Sequence, residues 1–372
     1  MVTGGGKTIF AFLCMLAFRE KYPSGRFLII VPTISLLDQW YVSLREDLRI
    51  PEQDLACYSG QEKPNKPSLV NLVVLNTARW ASAKIAAERE TFLIVDECHR
   101  AGSPENSRAL QGCFRASLGL SATPEREYDE GFEDKVAPIL GEVIYRYDYV
   151  QASRDGVISP FELVNVRIDL LPDERAKYSK LSKRISIAVK RSELTVSSEV
   201  YVKRLLQERA AVAATAAMRI PVAAKLIEKH RGTRSIVFHE RVSAADSLAS
   251  VLERRHHAVT IYHSKVGPMV RRDNLRLFRR GVFDVLVSCR ALDEGINVPQ
   301  ISVAVIASSS ASQRQRIQRL GRALRPSEGK SLATVYTLYA TEHEEQRLLA
   351  ESKRLEGVAS VTWFSGKRYK DG

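Results

Sequence analysis

Several things are scarce in this sequence, and each scarcity narrows what the chain can be. Its five cysteines, Cys14, Cys57, Cys98, Cys113 and Cys289, never fall as a C-x-x-C pair. That spacing suggests neither a zinc site nor a redox dithiol. Scattered single cysteines fit a reducing compartment, so a cytoplasmic location is expected. No apolar run reaches the roughly 20 residues that span a bilayer. The apolar stretch between Ile9 and Phe18 is short, follows glycines rather than a basic leader, and reads as a buried helix. No membrane partner is expected. Glycine is missing from residues 157–231, between Gly156 and Gly232. Residues 173–187 and 200–218 within that gap are rich in Ala, Leu, Glu, Arg and Lys, all good helix formers. A repeat of solenoid type is also lacking.

What is present points to a large globular chain with a polyanionic partner. A length of 372 residues favours two domains or a little more. Hydrophobic residues make up 45%, and the formal net charge is +13. A basic surplus of this size favours nucleic acid, because neutralised phosphates release counterions.

Short apolar runs recur at 27–31, 72–75, 92–95 and 118–120, each ending in polar or turn residues. Runs of this length fit strands of a parallel sheet buried on both faces. Leu36, Leu37, Trp40, Leu44 and Leu48 follow Pro32 and Thr33 at helical spacing. The same plan returns later. Residues 235–238, 259–262, 285–288, 303–307 and 335–339 read as strands, with helices at 271–280 and 311–324. The alternation predicts two parallel α/β domains joined by helices. The expected division is a first domain over 1–168, a helical connector over 169–221 and a second domain over 222–372. The basic, aromatic tail from Trp363 to Gly372 reads as a disordered or docking element.

Two short segments carry chemistry. Gly4-Gly5-Gly6-Lys7-Thr8 has the G-K-[ST] ending of a phosphate-binding loop. Glycines let backbone N–H groups converge on phosphate oxygens, and the positive end of the following helix points the same way. Lys7 is then placed for the β- and γ-phosphates of ATP, and Thr8 for Mg2+. Met1 stands where the full pattern has its first glycine or alanine, and the preceding strand is lacking. The expectation is a chain truncated at its N-terminus. Asp96-Glu97 follows the run 92–95 and so sits at a strand's carboxyl end, where open α/β sheets place ligands. Asp96 is the candidate to position Mg2+, and Glu97 to orient and deprotonate the attacking water.

With these in place the longer motifs become specific. Asp96-Glu97-Cys98-His99 resembles the DECH form of helicase motif II, and Ser121-Ala122-Thr123-Pro124 resembles motif III. Val31-Pro32-Thr33 through Gln39-Trp40 is similar to motif Ia. Ser288 and the stretch Ala291-Leu292-Asp293-Glu294-Gly295-Ile296-Asn297-Val298-Pro299 resemble motif V, although Asn297 stands where many relatives carry Asp. Gln318-Arg319-Leu320-Gly321-Arg322-Ala323-Leu324-Arg325 fits the Q-x-x-G-R-x-x-R of motif VI. Five motifs in order resemble the superfamily 2 helicases of DEAD/DEAH type, nearest to bacterial and phage repair and restriction motors.

The resemblance implies two tandem RecA-like domains of the P-loop NTPase class, with ATP between them. Gln318, Arg322 and Arg325 would join Glu97 in hydrolysis, the arginines stabilising charge on the transferring phosphoryl group. Asp293 and Gly295 would lie at the nucleotide site. His99, Ser121 and Thr123 would couple that site to the nucleic acid. Thr33, Thr77, His239 and Ser288 are candidate phosphate contacts, and Trp80 reads either as a base-stacking ring or as a core or rim tryptophan. Such contacts imply little sequence specificity and strong salt dependence. The wording of motifs Ia and VI leans towards DNA over RNA. The expected function is an ATP-dependent helicase or translocase, compatible with a nuclease or repair partner. Two alternatives stay open: a truncated, ATP-independent nucleic-acid-binding fragment, or the motor subunit of a restriction or defence complex. A P-loop ATPase of protein secretion shares the fold, but motif VI and the basic charge argue against it.

Overall fold

The computed structural model describes residues 6–121, 131–147, 151, 155, 161–191, 196–289, 301–308, 332–352 and 359–364. The chain divides into two compact units. The first takes in Met1–Ile158, and the second begins at Ser159; a later stretch, Gly267–Arg276, groups with the first.

The first unit is built on a five-stranded sheet of order β2-β3-β1-β4-β5, parallel throughout. The strands are β1 (Arg26–Val31), β2 (Leu55–Tyr58), β3 (Val70–Val74), β4 (Thr91–Asp96) and β5 (Ala116–Leu120). Every residue of β1, β3 and β4 is buried. The reason is visible in the alternation of side chains across the pleat. Phe27, Ile29 and Val31 pack with Phe92 and Ile94 against helices α1 (Lys7–Lys21) and α2 (Ile34–Glu46). Leu28 and Ile30 pack with Leu93 and Val95 on the opposite face, against α3 (Leu75–Ala86). Both faces are covered, so the strands read as continuous apolar runs. Thr33 starts α2, its hydroxyl accepting from Leu36 N at 3.4 Å. The helical spacing seen in the sequence puts Leu36, Leu37, Trp40 and Leu44 in the core.

The second unit holds a seven-stranded sheet of order β12-β6-β11-β10-β7-β9-β8, again parallel in every pairing. Its strands are β6 (Phe161–Arg167), β7 (Ser235–His239), β8 (Val259–Tyr262), β9 (Val285–Cys289), β10 (Val303–Ile306), β11 (Ala333–Tyr339) and β12 (Ala359–Phe364). Two of these correct the sequence expectation. Residues 161–167 were expected in the first domain, yet they pair with β11 along their whole length, so that strand belongs to the second sheet. Trp363, expected in a disordered or docking tail, instead lies in β12, its ring 5.7 Å from that of Tyr339 at 78°. Both strands are mixed rather than uniformly apolar, with Glu162 and Asn165 in β6 and an only half-buried β12. Residues 365–372 of the expected tail lie outside the described residues.

The glycine-free segment forms helices Pro172–Arg191 and Val196–Ala214. Leu181, Ile185, Leu205 and Val212 make their shared core. Glu174 secures the start of the first helix: its carboxylate accepts from Leu171 N and from Ala217 N, each at 2.9 Å. The first of these satisfies one of the N–H groups a helix start leaves unpaired.

Candidate nucleotide site and comparisons with known proteins

The carboxyl ends of β1, β3 and β4 and the start of α1 meet at one edge of the first sheet. Gly6 caps α1 with φ +81°, in the left-handed region that glycine enters without penalty. Among the described residues nothing lies within 4 Å of where its Cβ would stand. Lys7 and Thr8 follow in the first turn of α1, both half-buried. Gly4 and Gly5 lie outside the described residues.

Lys7 Nζ reaches Glu97 Oε1 at 3.2 Å across 90 residues of sequence. Their side chains are 12% and 13% exposed, shielded yet open to a ligand. Glu97 holds φ +49°, a conformation a non-glycine residue seldom adopts. Strain of this sort concentrates at functional sites. The turn directs Glu97 towards both Lys7 and His99, whose Nδ1 is 3.5 Å from Glu97 Oε2. His99 Nδ1 also lies 2.9 Å from Ser121 Oγ, so the ends of β4 and β5 are linked through motifs II and III.

Asp96 ends β4 and is 8% exposed. Burial pushes its carboxyl above the usual range, with the positive charge of Lys7 as the largest opposing influence. Trp40 Nε1 donates to its Oδ2 at 2.9 Å, and Glu97 N donates to its Oδ1 at 3.0 Å. Cys98, next along, is a packing group: burial raises its thiol to about 12.

This donor set suits a nucleotide triphosphate with Mg2+. The Gly6 cap, Lys7 and the start of α1 supply positive potential, while Asp96 and Thr8 offer the oxygen ligands that a hard cation takes. No cluster of three or more His, Cys, Asp or Glu side chains that would hold a metal by itself occurs among the described residues.

The structure thus gathers Gly6, Lys7, Thr8, Asp96, Glu97, His99 and Ser121 around one sheet edge. Thr123, Asp293, Gly295, Gln318, Arg322 and Arg325 lie outside the described residues. Thr33 and Thr77 start α2 and α3 directly after β1 and β3, and Trp80, one turn beyond Thr77, is 78% exposed. The remaining candidate contacts sit in the interior of the second unit. His239 is 2% exposed and Ser288 fully buried. Burial, with Arg219 and then Arg241 adding positive charge, lowers His239 to about 4. Its Nδ1 accepts from Arg241 N at 3.1 Å. Both lie buried in the carboxyl-terminal halves of β7 and β9.

Two residues with polar duties escaped the sequence reading. Trp40 looked like a core residue of α2, and nothing in its spacing discloses the bond to Asp96. Arg219, fully buried, donates to the carbonyls of Ala213, Ala307 and Leu338 at 2.8, 2.6 and 2.9 Å and to Glu344 Oε1 at 2.6 Å. The only cue to it was an arginine opening the amphipathic helix Arg219–Lys229.

Comparisons agree with the motifs. Residues 1–126 match the family described as type III restriction enzyme, res subunit, and residues 218–327 match the helicase conserved C-terminal domain. These matches support a superfamily 2 helicase related to restriction and repair enzymes. It is 28% identical over 92% of its length to a putative DNA 3'-5' helicase Rad25 of Haloarcula marismortui, covering 49% of that protein. It is 24% identical over 89% of its length to the DNA 3'-5' translocase XPB2 of Sulfurisphaera tokodaii, covering 75% of it. The chain therefore spans about half of the first relative and three quarters of the second. Among solved structures, the helicase domain of Pyrococcus furiosus Hef aligns with TM-score 0.54 at 17% identity, over 94% of each chain. S. cerevisiae Dbp5 bound to RNA and ADP BeF3 aligns with TM-score 0.59 at 14% identity, over 98% of this chain and 84% of that one. At such identity the likeness shows the fold, tandem RecA-like domains, and the helicase matches imply use of a nucleotide.

Proposed function

We propose that the chain is an ATP-dependent helicase or translocase acting on nucleic acid, DNA in preference to RNA. The observation that carries this is the Lys7–Glu97 pair, a phosphate-binding lysine 3.2 Å from the carboxylate placed to activate water. Lys7 neutralises charge on the β- and γ-phosphates while Glu97 orients water and takes its proton. Competition between phosphate oxygens and Glu97 for Lys7 frees the carboxylate for that task. Thr8 and Asp96 would hold Mg2+, which supplies positive charge at the phosphate oxygens when bound. Gln318, Arg322 and Arg325 complete the hydrolytic set by motif register, with Asp293 and Gly295 at the nucleotide. His99, Ser121 and Thr123 carry the coupling role.

For the nucleic acid, Thr33 and Thr77 sit at helix starts on the same sheet edge. Thr33 uses its oxygen as a helix cap, which leaves its O–H free to donate to a phosphate. Trp80 is exposed enough to stack on a base. The net charge of +13 supports a polyanion partner and strong salt dependence.

The test is ATP hydrolysis by this chain, with and without single- and double-stranded DNA, and with Lys7→Ala as the blank. Hydrolysis stimulated by DNA and abolished in the variant is expected. Activity no higher than the blank sinks the motor reading and favours a binding fragment. The match of residues 1–126 to a restriction subunit family favours a second reading, the motor subunit of a restriction complex. Copurification of a nuclease subunit would support it.

A further inference from the structure

The bond from Trp40 to Asp96 asks for an explanation that packing alone does not give. Indole is a donor only, so its N–H can serve an acceptor but never compete for a cation. Here the acceptor is one oxygen of a buried carboxylate at the end of β4, and the other oxygen is held by the Glu97 amide. The indole is itself fixed. Its ring meets Phe12 of α1 edge-on, with centroids 5.8 Å apart at 82°, and the side chain is 3% exposed. Trp40 therefore touches the helix that begins with Lys7 and the strand that ends with Asp96, while riding on the helix that begins at Thr33. A phenylalanine would fill most of the same space and leave Asp96 Oδ2 without this donor.

We propose that Trp40 is a positioning residue for the metal-nucleotide site: its N–H holds the Asp96 carboxylate in the orientation that receives Mg2+. This rests on the nucleotide reading above. A ring placed for packing alone makes no use of that N–H. The edge-on Phe12 contact supplies the stiffness that lets one hydrogen bond fix a carboxylate.

The experiment compares wild-type chain with Trp40→Phe, using a fluorescent ADP analogue as probe and titrating Mg2+. Hydrogen bonds to charged groups are strong enough that the Mg2+ concentration giving half of the binding signal should rise by about tenfold. Lost packing by itself would weaken binding with and without Mg2+ alike, and that uniform loss would overturn the proposal. Unchanged Mg2+ dependence would overturn it too. Should wild-type chain bind no probe at all, the nucleotide reading falls and this proposal with it; a failure confined to Trp40→Phe leaves the reading standing. Should the variant fail to fold, wild-type chain labelled with 15N at its three indoles answers instead. The buried indole N–H of Trp40 should shift with ADP plus Mg2+ and stay put with ADP in chelator. Equal shifts in both would overturn the proposal.

Discussion

The two sheets are built alike and finished differently. Each is parallel, buried on its central strands and flanked by helices, and each brings charged side chains to the carboxyl ends of its strands. In the first unit the charges meet side chain to side chain: Lys7 pairs with Glu97 at 3.2 Å, and Glu97 with His99 at 3.5 Å. In the second unit Arg219 is locked away, three of its bonds going to main-chain carbonyls and a fourth to Glu344. Glu344 is equally committed, its other oxygen accepting from Ala340 N at 2.8 Å and Thr341 Oγ1 at 3.2 Å. The lesson is that a strand edge in this fold is a place where chemistry can be put, not evidence that it has been. What separates the two is where the charged groups find their partners, in other side chains at the first edge and largely in main-chain carbonyls at the second.

That comparison can be broken at either edge. The larger effect belongs to the first. Glu97→Gln keeps the shape and the backbone turn but removes the base, so steady-state ATP turnover should fall by about 10²- to 10⁴-fold. Binding of the fluorescent ADP analogue should survive. Turnover within a few-fold of wild type would take Glu97 out of the mechanism.

Arg219→Ala makes the opposite prediction at the second edge. Removing it leaves three carbonyls and Glu344 without their donor, at a cost of about 3–5 kcal/mol in the stability of the second unit. Urea denaturation should show an early transition of that unit. Loss of less than about 1 kcal/mol would mean that water replaces the guanidinium, and that this edge is less closed than its bonding suggests.

The sequence disclosed more of the first edge than of the second, and the reason is physical. A phosphate loop needs glycines, a lysine and a hydroxyl in fixed order, and a metal-positioning carboxylate must follow a strand. Those demands are local, so Gly6, Lys7, Thr8, Asp96 and Glu97 stood out. Central strands β1, β4, β7 and β10 were legible because burial on both faces requires uninterrupted apolar runs. Three strands towards the sheet edges were not: β2 has four residues, β6 carries Glu162 and Asn165, and β12 is half-exposed. Arg219 was invisible because three of its four partners lie 88 to 125 residues away. Trp40 was half-legible: periodicity announced its ring, but only the fold reveals where its N–H points.

A subtler probe of the closed second edge is His239. Burial, Arg219 and Arg241 hold its folded-state value near 4, against an ordinary 6.5. The imidazole is thus neutral in the folded chain across a range where the unfolded chain would take up a proton. Between about pH 4 and 6.5 the unfolded state binds more protons, so this residue makes stability rise with pH, by at most roughly 1.4 kcal/mol per pH unit. Above that window its contribution no longer changes. His239→Asn, which retains an acceptor for Arg241 N, should flatten the pH dependence of the urea midpoint between pH 4.5 and 6.5 relative to wild type. Superimposable profiles would mean that His239 takes up its proton in the folded state as readily as in the unfolded one. The interior of the second unit would then be open to water at the end of β7, and the contrast between the two edges would narrow at that point.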